Sequence, residues 1–406
     1  MQLSFTFLEG EMQMTTAHEV PRTRATRTAS AEKKLRALSL FSGAGGMDNG
    51  VTAAGFEILA SVEVDPHCCE TLRANIARED RRTHVLEADV RTLDPAVLMS
   101  DVGLVAGELD LLFAGPPCQA FSQIGKQEAL RDERGLLLFE VVRFATRFEP
   151  RAILIEQVKG LLTAKGRAGR RGEVLQALLS ELERLGYVPK WNVLNAADYG
   201  VAQLRKRLFI VATRPPNGFQ FPTPTHGAEG MSSLLFPVEP YVTVGDAVRG
   251  LKRPVPKNGR SQEDSHVDVT PEGDRFRIHG VPEGCYLSAQ VHLPEEQRRN
   301  LQKKDTTKFL RASRSRPSNT LRCGEIFFHP TEDRYLTPRE CMRIHGYPDS
   351  YVLKGPVRGR SGRVRYLDQH RQVANSVPPP LAGLLAANVA KVLDGCRGYS
   401  SSSAFV

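Results

Sequence analysis

Cys118 is the residue whose surroundings most clearly indicate chemistry. It lies in the segment PPCQAFS, directly after the apolar run DLLFAG at residues 110–115, which we predict to be a buried strand. Open α/β sheets place reactive groups just beyond the carboxyl ends of strands, and a thiol near a helix start and basic side chains has a lowered pKa. Cys118 is therefore a candidate nucleophile. The alternative, a small buried apolar side chain, is what we expect of the other six cysteines.

Two further polar motifs follow along the chain. Glu156 lies at the end of the apolar run ILIEQV, and a right-handed crossover would place this strand beside the strand that precedes Cys118. A carboxyl group against apolar neighbours has a raised pKa and could donate a proton, although helix capping is the alternative role. In QLRKR, strand alternation puts Gln203, Arg205 and Arg207 on one face, where they could meet a phosphate, a carboxylate or a carbonyl oxygen.

A Gly-rich segment, FSGAGG, lies between an apolar strand and a helix. Gly43, Gly45 and Gly46 could let the backbone approach a ligand, or they could form no more than a tight turn. Glu63 ends the next strand, about 20 residues later, where a carboxylate binds the ribose hydroxyls of a nucleoside. Asp89 ends a third strand and could reach an adenine amino group or cap a helix. The pattern favours a nucleoside site.

These residues depend on a sheet, and the apolar pattern predicts one. Short runs, ALSLF, EILASVEV, DLLFAG, RAILIEQV and LFIVAT, alternate with helical stretches up to Thr213. Helices are predicted over residues 136–148, 174–185, 337–343 and 381–393. Alternation of strands and helices is typical of a doubly wound α/β sheet. The irregular stretch after Arg214, rich in Pro and Gly, predicts a second, smaller domain with short β fragments.

These patterns divide the 406 residues into successive regions. We predict a flexible leader (1–34), a catalytic domain (35–214), a small irregular domain with its hinge (215–364), a segment returning to the catalytic domain (365–397) and a flexible tail (398–406). We call residues 215–364 the insert. Of the net charge of +9, most lies in the insert, where Lys and Arg exceed Asp and Glu by six. The excess fits either a polyanion partner or a solvated face.

Composition excludes several classes of protein. Hydrophobic residues make up 41% of the chain, which excludes wholesale disorder. No run approaches the roughly 18 apolar residues of a membrane span, and no signal peptide is evident, so we expect a soluble cytoplasmic protein without a membrane partner. An odd number of cysteines without a CxxC pair argues against disulfides and a zinc cluster, and we expect no metal.

Taken in order, FSGAGG, Glu63, PPCQAFSQIGK, IEQV, QLRKR, LTPRECMRIHGYPD and QVANSVPPP strongly resemble the DNA (cytosine-5) methyltransferase family over residues 38–389. The resemblance implies a Rossmann-like domain that binds S-adenosylmethionine and releases S-adenosylhomocysteine, and an irregular, β-rich target recognition domain in the insert. The residues that it assigns to the cofactor are Phe41, Ser42, Gly43, Ala44, Gly45, Gly46, Glu63, Val64, Asp89, Val90, Pro116, Asn375 and Ser376.

The same resemblance implies a covalent mechanism. Cys118 would add to C6 of a cytosine flipped out of duplex DNA while Glu156 gives a proton to N3, and C5 would then attack the methyl group. Arg207 would bind the cytosine O2, and Arg205 would support a loop or a phosphate. The family usually has Asn where this chain has Gln157, and we expect the longer amide to preserve activity because it keeps both donor and acceptor.

Duplex DNA is the partner that the resemblance implies. The basic stretch of the insert should contact phosphates, with a solvated face as the alternative. The residues expected to touch DNA are Gln119, Ser122, Gln203, Arg298, Arg299, Lys303, Lys304, Arg311 and Arg314. We expect Arg339 and Glu340 to organise the join between the domains, and His345 to be structural.

Two other functions fit parts of the pattern. An RNA cytosine-5 methyltransferase would carry a cysteine near Glu156 or a Cys-Phe-Thr element, and the chain has neither. A DNA-binding protein with a decayed core is disfavoured by the intact catalytic motifs. A single recognition region without regulatory domains is typical of bacteria or phages. We therefore expect a monomeric enzyme of a restriction-modification system, acting in the bacterial cytoplasm alongside an endonuclease with the same target sequence.

Overall fold

A computed structural model describes residues 34–117, 133–166, 168–216, 218–228, 230, 237–256, 265–298, 307–357 and 366–400. Up to Thr213 its strands are β1 (Arg36–Leu40), β2 (Glu57–Glu63), β3 (His84–Glu87), β4 (Leu111–Ala114), β5 (Ala152–Val158), β6 (Val188–Asn195), β7 (Gln203–Leu204) and β8 (Lys206–Thr213). Seven of them form one sheet in the order β3-β2-β1-β4-β5-β8-β6. The first five strands in this order are parallel, and β8 runs antiparallel to β5 and β6. The predicted doubly wound α/β sheet is confirmed.

Helices cover both faces of this sheet. They are α1 (Gly46–Ala53), α2 (Pro66–Arg78), α3 (Pro95–Asp101), α4 (Glu133–Phe148) and α5 (Glu173–Arg184). Period-two alternation sends successive strand residues to opposite faces. In β4, Leu112 and Ala114 pack on the face of α3, α4 and α5, whereas Leu111 and Phe113 pack on the face of α1. Because β1, β2, β4 and β5 are parallel, their carboxyl ends lie together at one edge of the sheet.

The insert contains short elements. Its strands of two residues are β9 (His226–Gly227), β10 (Glu239–Pro240), β11 (Val255–Pro256), β12 (Val267–Asp268) and β13 (Ser318–Asn319). Its helices are α6 (Val244–Val248), α7 (Glu272–Ile278) and α8 (Pro338–His345). β13 pairs with β7, so the end of the insert is attached to the QLRKR segment. The boundaries predicted for the leader, domains and tail stay predictions.

Two helices close the chain, α9 (Gln369–Asn375) and α10 (Pro379–Ser400). By length and average composition alone, the stretch Gln369–Gly395 could cross a membrane, a candidate that the search for continuous apolar runs did not find. Leu381, Leu385 and Val389 are nevertheless buried in the cluster that includes Met47 and Val51 of α1. This apolar surface is therefore that of a core helix packed on the sheet.

The five apolar runs and the four helices are present; their ends shift by at most about three residues, except that α10 continues to Ser400 beyond its predicted end at residue 393. The third strand expected before Asp89 is β3, whereas β6 was not predicted, and both lie at edges of the sheet. Edge strands carry polar residues and proline because one side is unpaired, so the run VPKWNVLN of β6 lacks a continuous apolar pattern.

Candidate active site

A carboxylate from β2 holds the Gly-rich turn between β1 and α1. Glu63 ends β2, and its Oε2 accepts a hydrogen bond from the backbone N–H of Gly43 at 2.7 Å. Its Oε1 accepts two more, each at 2.9 Å, from the N–H groups of Val64 and Asp65. Burial raises the pKa of Glu63, although these three donors favour its ionised form. The residue predicted to bind a ribose therefore also holds the turn.

The three glycines of the turn have different surroundings. Gly43 has a φ of 54°, and a Cβ there would meet nothing within 4 Å. Gly45, with a φ of 74°, lies against the hydroxyl of Tyr351, and Gly46 lies against the backbone carbonyl of Val377, so a Cβ at either position would overlap. Gly43 lines a small cavity, whereas Gly45 and Gly46 pack closely against Tyr351 and Val377, and ligand binding by the three glycines stays a prediction.

A cavity of about 260 Å³ opens at the carboxyl ends of β2 and β3. Its lining residues are Phe41, Val62, Glu63, Val64, Ala88, Asp89, Val90, Arg91, Pro117 and Leu137. Five of these, Phe41, Glu63, Val64, Asp89 and Val90, were predicted to bind the cofactor. The walls combine apolar side chains with two carboxylates, which suits a nucleoside with a flat base and polar sugar hydroxyls.

Asp89 caps a short turn and also lines the larger cavity. It caps the short 3-10 turn Val90–Thr92 through a hydrogen bond from the N–H of Arg91, and it lines the cavity. Its Oδ2 also lies 2.6 Å from Nη2 of Arg91, and this pairing lowers the pKa of Asp89. The carboxylate is therefore ionised and positioned as an acceptor at the cavity wall.

A smaller cavity of about 40 Å³ adjoins the end of β5. Its lining residues are Ser39, Leu40, Phe41, Ser42, Gly43, Met47, Asp48, Phe113, Gly115, Glu156, Asn375, Ser376 and Val377. Phe41 lines both cavities and has a φ of 55°, a conformation that a bulky residue rarely adopts. The two cavities therefore share one wall residue, Phe41, whose backbone is constrained, at the carboxyl edge of the sheet.

Glu156 and Arg207 form an ion pair at this smaller cavity. Nε of Arg207 lies 3.0 Å from Oε1 of Glu156, and both side chains are largely buried. Burial raises the pKa of Glu156, while the charges of Arg207 and Arg205 oppose that rise. β4 and β5 are adjacent and parallel, as predicted, so Glu156 lies beside the strand that leads to Cys118. A buried carboxyl group with a raised pKa can hold and donate a proton.

The other side chains of the same QLRKR face point into the protein. Arg205 is buried and donates from Nη2 to the backbone carbonyls of Ala374 and Ser376, at 2.9 and 3.0 Å. Gln203 is fully buried, which corrects the prediction that it contacts DNA. The predicted alternation is right, but this face packs against the C-terminal motif, and Lys206 is the basic residue that remains exposed.

Cys118 lies outside the described residues, but the structure shows what holds the backbone at Pro116, two residues before it. The fully buried Gln157 donates from Nε2 to the backbone carbonyl of Pro116 at 2.9 Å. Gln157, in place of the usual Asn, therefore makes a contact two residues before Cys118. Pro117 is described too, and it lines the larger cavity.

The late motif supplies the remaining wall. Asn375 and Ser376, which the family resemblance assigns to the cofactor, line the smaller cavity. Cys323 of the insert donates from Sγ to Oδ1 of Asn375 at 2.6 Å. Ser376 donates from Oγ to the carbonyl of Val373 at 2.8 Å, which closes α9. The insert and the pocket therefore meet at this motif.

Three basic residues expected to contact phosphates, Arg298, Arg311 and Arg314, are described, and each has a protein partner. Arg311 is buried in an ion pair with Asp333, which corrects its assignment to DNA. Arg314 pairs with Glu283 at 2.7 Å, and Arg298 donates to the carbonyls of Leu293 and Val291. The expected DNA contacts that lie outside the described residues are Gln119, Ser122, Arg299, Lys303 and Lys304.

Sequence reasoning missed a buried carboxylate beneath the turn. Asp48 of α1 accepts hydrogen bonds from Ser61 at 2.7 Å and from Ser39 at 3.1 Å, and burial raises its pKa to about 6. It also missed Tyr351, which donates to the carbonyl of Ala44 at 2.8 Å. An acidic residue in the first turn of a helix normally suggests a solvated side chain, so no local signal marked Asp48.

The sheet order, the antiparallel β8 and the cavity at the carboxyl edge define a Rossmann-like α/β fold. A DNA modification methyltransferase encoded within an Escherichia coli prophage matches 89% of this chain and 99% of its own, with a TM-score of 0.64 and 20% identity. DNMT2 of Spodoptera frugiperda matches 88% of this chain and 99% of its own, with a TM-score of 0.56 and 18% identity. These similarities concern the fold.

Sequence comparison identifies the family. The family model described as C-5 cytosine-specific DNA methylase matches residues 35–391. Type II methyltransferase M.AquIA of Picosynechococcus is 38% identical over 61% of this chain and 99% of its own length. Type II methyltransferase M.NgoFVII of Neisseria gonorrhoeae is 31% identical over 86% of this chain and 85% of its own. The chain belongs to the C-5 cytosine-specific DNA methylase family, whose members use S-adenosylmethionine to methylate DNA.

Proposed function

We propose that Cys118, Glu156 and Arg207 carry the methylation of cytosine C5 in duplex DNA. The observation that carries this assignment is the buried Glu156–Arg207 ion pair at the end of β5, beside the strand that leads to Cys118. The proposed mechanism needs a proton donor and a cation near the thiolate, and this pair supports it because β5 adjoins the strand that precedes Cys118. The cavity at the same edge is the proposed cofactor site.

The residues of this edge suit S-adenosylmethionine. Glu63 and Asp89 offer acceptors for hydroxyl and amino groups, and Phe41, Val64 and Val90 offer apolar contact to a flat base. When bound, this cofactor supplies the electrophilic methyl group that cytosine C5 receives. We propose that no metal takes part.

The protein's own groups provide the activation of cytosine. The thiolate of Cys118 forms a bond to C6, and Glu156 gives its proton to N3 as electron density moves there. Arg207 orients Glu156 and donates to the cytosine O2. Once C5 carries the methyl group, loss of the C5 proton to a base restores the double bond and expels the thiolate. The N3 proton returns to Glu156.

This geometry requires the target base to leave the duplex. Glu156 is buried at the end of a strand, and a stacked cytosine cannot reach it. Lys206 is exposed, next in the chain to Arg207, and would bind the phosphate backbone of the flipped nucleotide. The insert is the proposed target recognition domain, with its remaining basic residues as further phosphate contacts.

The relatives are Type II methyltransferases by name, which supports a proposal about the cellular role. We propose that the enzyme acts as a monomer on DNA in the bacterial cytoplasm, without a membrane partner, and protects target sites from an endonuclease with the same recognition sequence.

Substitution of the nucleophile tests this proposal. Wild-type protein should transfer labelled methyl groups from S-adenosylmethionine to unmethylated duplex DNA, and Cys118→Ser should lose that activity. Cys285→Ser, at a half-buried cysteine of the insert, serves as the matched control and should remain active. Equal transfer by Cys118→Ser and wild type would contradict the assignment.

A further inference from the structure

A buried chain of hydrogen bonds runs from the insert to the wall of the smaller cavity. Oε1 of Gln203 accepts from the backbone N–H of Leu321 at 3.1 Å, and Nε2 of Gln203 lies 2.9 Å from Nδ1 of His345. Nε2 of His345 lies 3.0 Å from the backbone carbonyl of Ser376, a residue of the cavity wall. Both side chains are fully buried, so these contacts are shielded from water.

The two ends of this chain determine every proton in it. The N–H of Leu321 can act only as a donor, so the amide oxygen of Gln203 must face it. The amide nitrogen of Gln203 then donates to Nδ1 of His345, which must lack a proton. The proton of His345 therefore sits on Nε2 and is donated to the carbonyl of Ser376, which can only accept.

The surroundings of His345 favour the neutral form that this arrangement requires. Burial and the charges of Arg205 and Arg207 hold its pKa well below the ordinary value, and the carbonyl of Ser376 is the opposing influence. The ring of Tyr347 stacks on His345 with centroids 6.0 Å apart. A second proton would place an N–H of His345 against the amide N–H of Gln203 and break the chain.

The same part of the insert is attached to the pocket at other points. Ser318–Asn319 pairs with Gln203–Leu204, and Thr320 donates from Oγ1 to the carbonyl of Leu204 at 2.7 Å. Cys323 donates to Asn375 of the cavity wall. Residues 318–323, which we call the docking segment, therefore contact the QLRKR motif at one end and Asn375 of the late motif at the other.

We propose that Gln203 and His345 are a positioning pair that couples the docking segment to the pocket wall at Ser376. DNA held by the insert would thereby tighten cofactor binding, and bound cofactor would tighten DNA binding by the same factor. This inference rests on the proposed function. It also gives Gln203 a role in place of the direct DNA contact that its sequence position suggested.

Removing the histidine tests the coupling. Dissociation constants for S-adenosylhomocysteine are measured with and without a duplex that contains the sequence methylated by wild type. DNA should tighten binding about fivefold or more in wild type, and His345→Phe should bring this factor close to one. His345→Gln should restore part of it because an amide can accept from Gln203 and donate to Ser376. His279→Phe, at an exposed histidine of the insert, should behave as wild type.

A wild-type factor near one, or an unchanged factor in His345→Phe, would overturn the coupling. Absence of methyl transfer by wild type would instead overturn the proposed function.

A second experiment tests the pair without measuring activity. In ¹⁵N-histidine NMR spectra, wild-type His345 should stay neutral with its proton on Nε2. Gln203→Glu places a carboxylate against Nδ1, so His345 should take up a proton at a higher pH than in wild type. Unchanged titration in this variant would contradict the pair.

Discussion

At the scale of single residues, burial changes the pKa of the acidic side chain proposed to donate a proton. Glu156 has a raised pKa because the protein removes its carboxyl group from water, and Arg207 limits that rise. A proton donor must be protonated before it acts, so a larger protonated fraction near neutral pH favours the proposed step.

The first prediction concerns the pH profile of this step. The single-turnover rate of methylation should fall as pH rises through the pKa of Glu156. Arg207→Gln removes the cation that favours the carboxylate, so its lower rate should decline only at a higher pH. Glu156→Gln should lower the rate about 10²-fold or more and abolish the decline. Arg214→Gln, at the far end of β8, is the control and should keep the wild-type profile; a decline that does not move in Arg207→Gln would contradict the account.

Asp48 provides a second prediction, on stability. Its pKa rises from 3.8 to about 6 on burial, so the folded state holds this proton more tightly than the unfolded state does. The stability that this proton contributes is present below the unfolded pKa and is lost as pH rises towards 6. Relative to wild type, Asp48→Asn should gain on the order of 3 kcal/mol between pH 4 and 7. Urea unfolding at several pH values measures this, and a difference that stays flat would be inconsistent with a buried ionisable Asp48.

At the scale of elements, close packing of helices places the Gly-rich turn. α1 follows the turn directly, and Gly50 of α1 meets Gly383 of α10 where the two helices cross. A Cβ on Gly50 would lie 2.6 Å from the backbone nitrogen of Gly383 and 2.7 Å from Cβ of Ala382. Small residues at this crossing therefore allow the C-terminal helix to support the cofactor end of the sheet.

The third prediction follows from this crossing. Gly50→Ala should lower the free energy of unfolding by about 1–3 kcal/mol because the helices must separate. Gly395→Ala, in the same helix pair and with nothing within 4 Å of the added Cβ, should be neutral or stabilising by up to about 1 kcal/mol. Denaturant titration compares the two variants, and equal stabilities would show that the crossing tolerates a methyl group.

At the scale of the whole molecule, the positive charge of the insert is only partly available to DNA. Arg311 and Arg314 are paired with acidic side chains, whereas Lys206, beside Arg207 in the chain, is exposed and is the phosphate contact that we propose nearest the pocket. A charge excess counted along the sequence does not reveal which cations have partners. The footprint on DNA should therefore begin at the rim of the catalytic pocket.

Lys206 supplies the fourth prediction. Lys206→Ala should weaken binding to duplexes of any sequence and reduce the salt dependence of the affinity by about one unit of slope, because one phosphate contact is lost. Lys391→Ala is the matched control because this part of α10 lies away from the pocket. Two residues later, the carbonyl of Leu393 accepts a hydrogen bond from Arg151, at the amino end of β5. An unchanged slope for Lys206→Ala would place the footprint elsewhere.

The sequence predicted the sheet, the Glu63 and Glu156 positions and the family, because buried strands and strand-end acids leave local patterns. It did not predict the roles of Gln203 and Arg311. Alternation shows which residues share a face but not whether that face meets solvent, and the partner of Arg311 lies 22 residues away. The close packing at Gly45 and Gly46 was not predicted for the same reason. Tyr351 and Val377, which pack against them, come from the other end of the chain.

Mapping the product tests the central claim most directly. Purified protein and S-adenosylmethionine are incubated with unmethylated plasmid DNA, which is then read by bisulfite sequencing, with Cys118→Ser and an RNA substrate treated in parallel. The account predicts 5-methylcytosine at one position of a single short sequence motif, produced by wild type and absent with Cys118→Ser. Methylation of RNA instead of DNA, or equal methylation of DNA by Cys118→Ser, would contradict it.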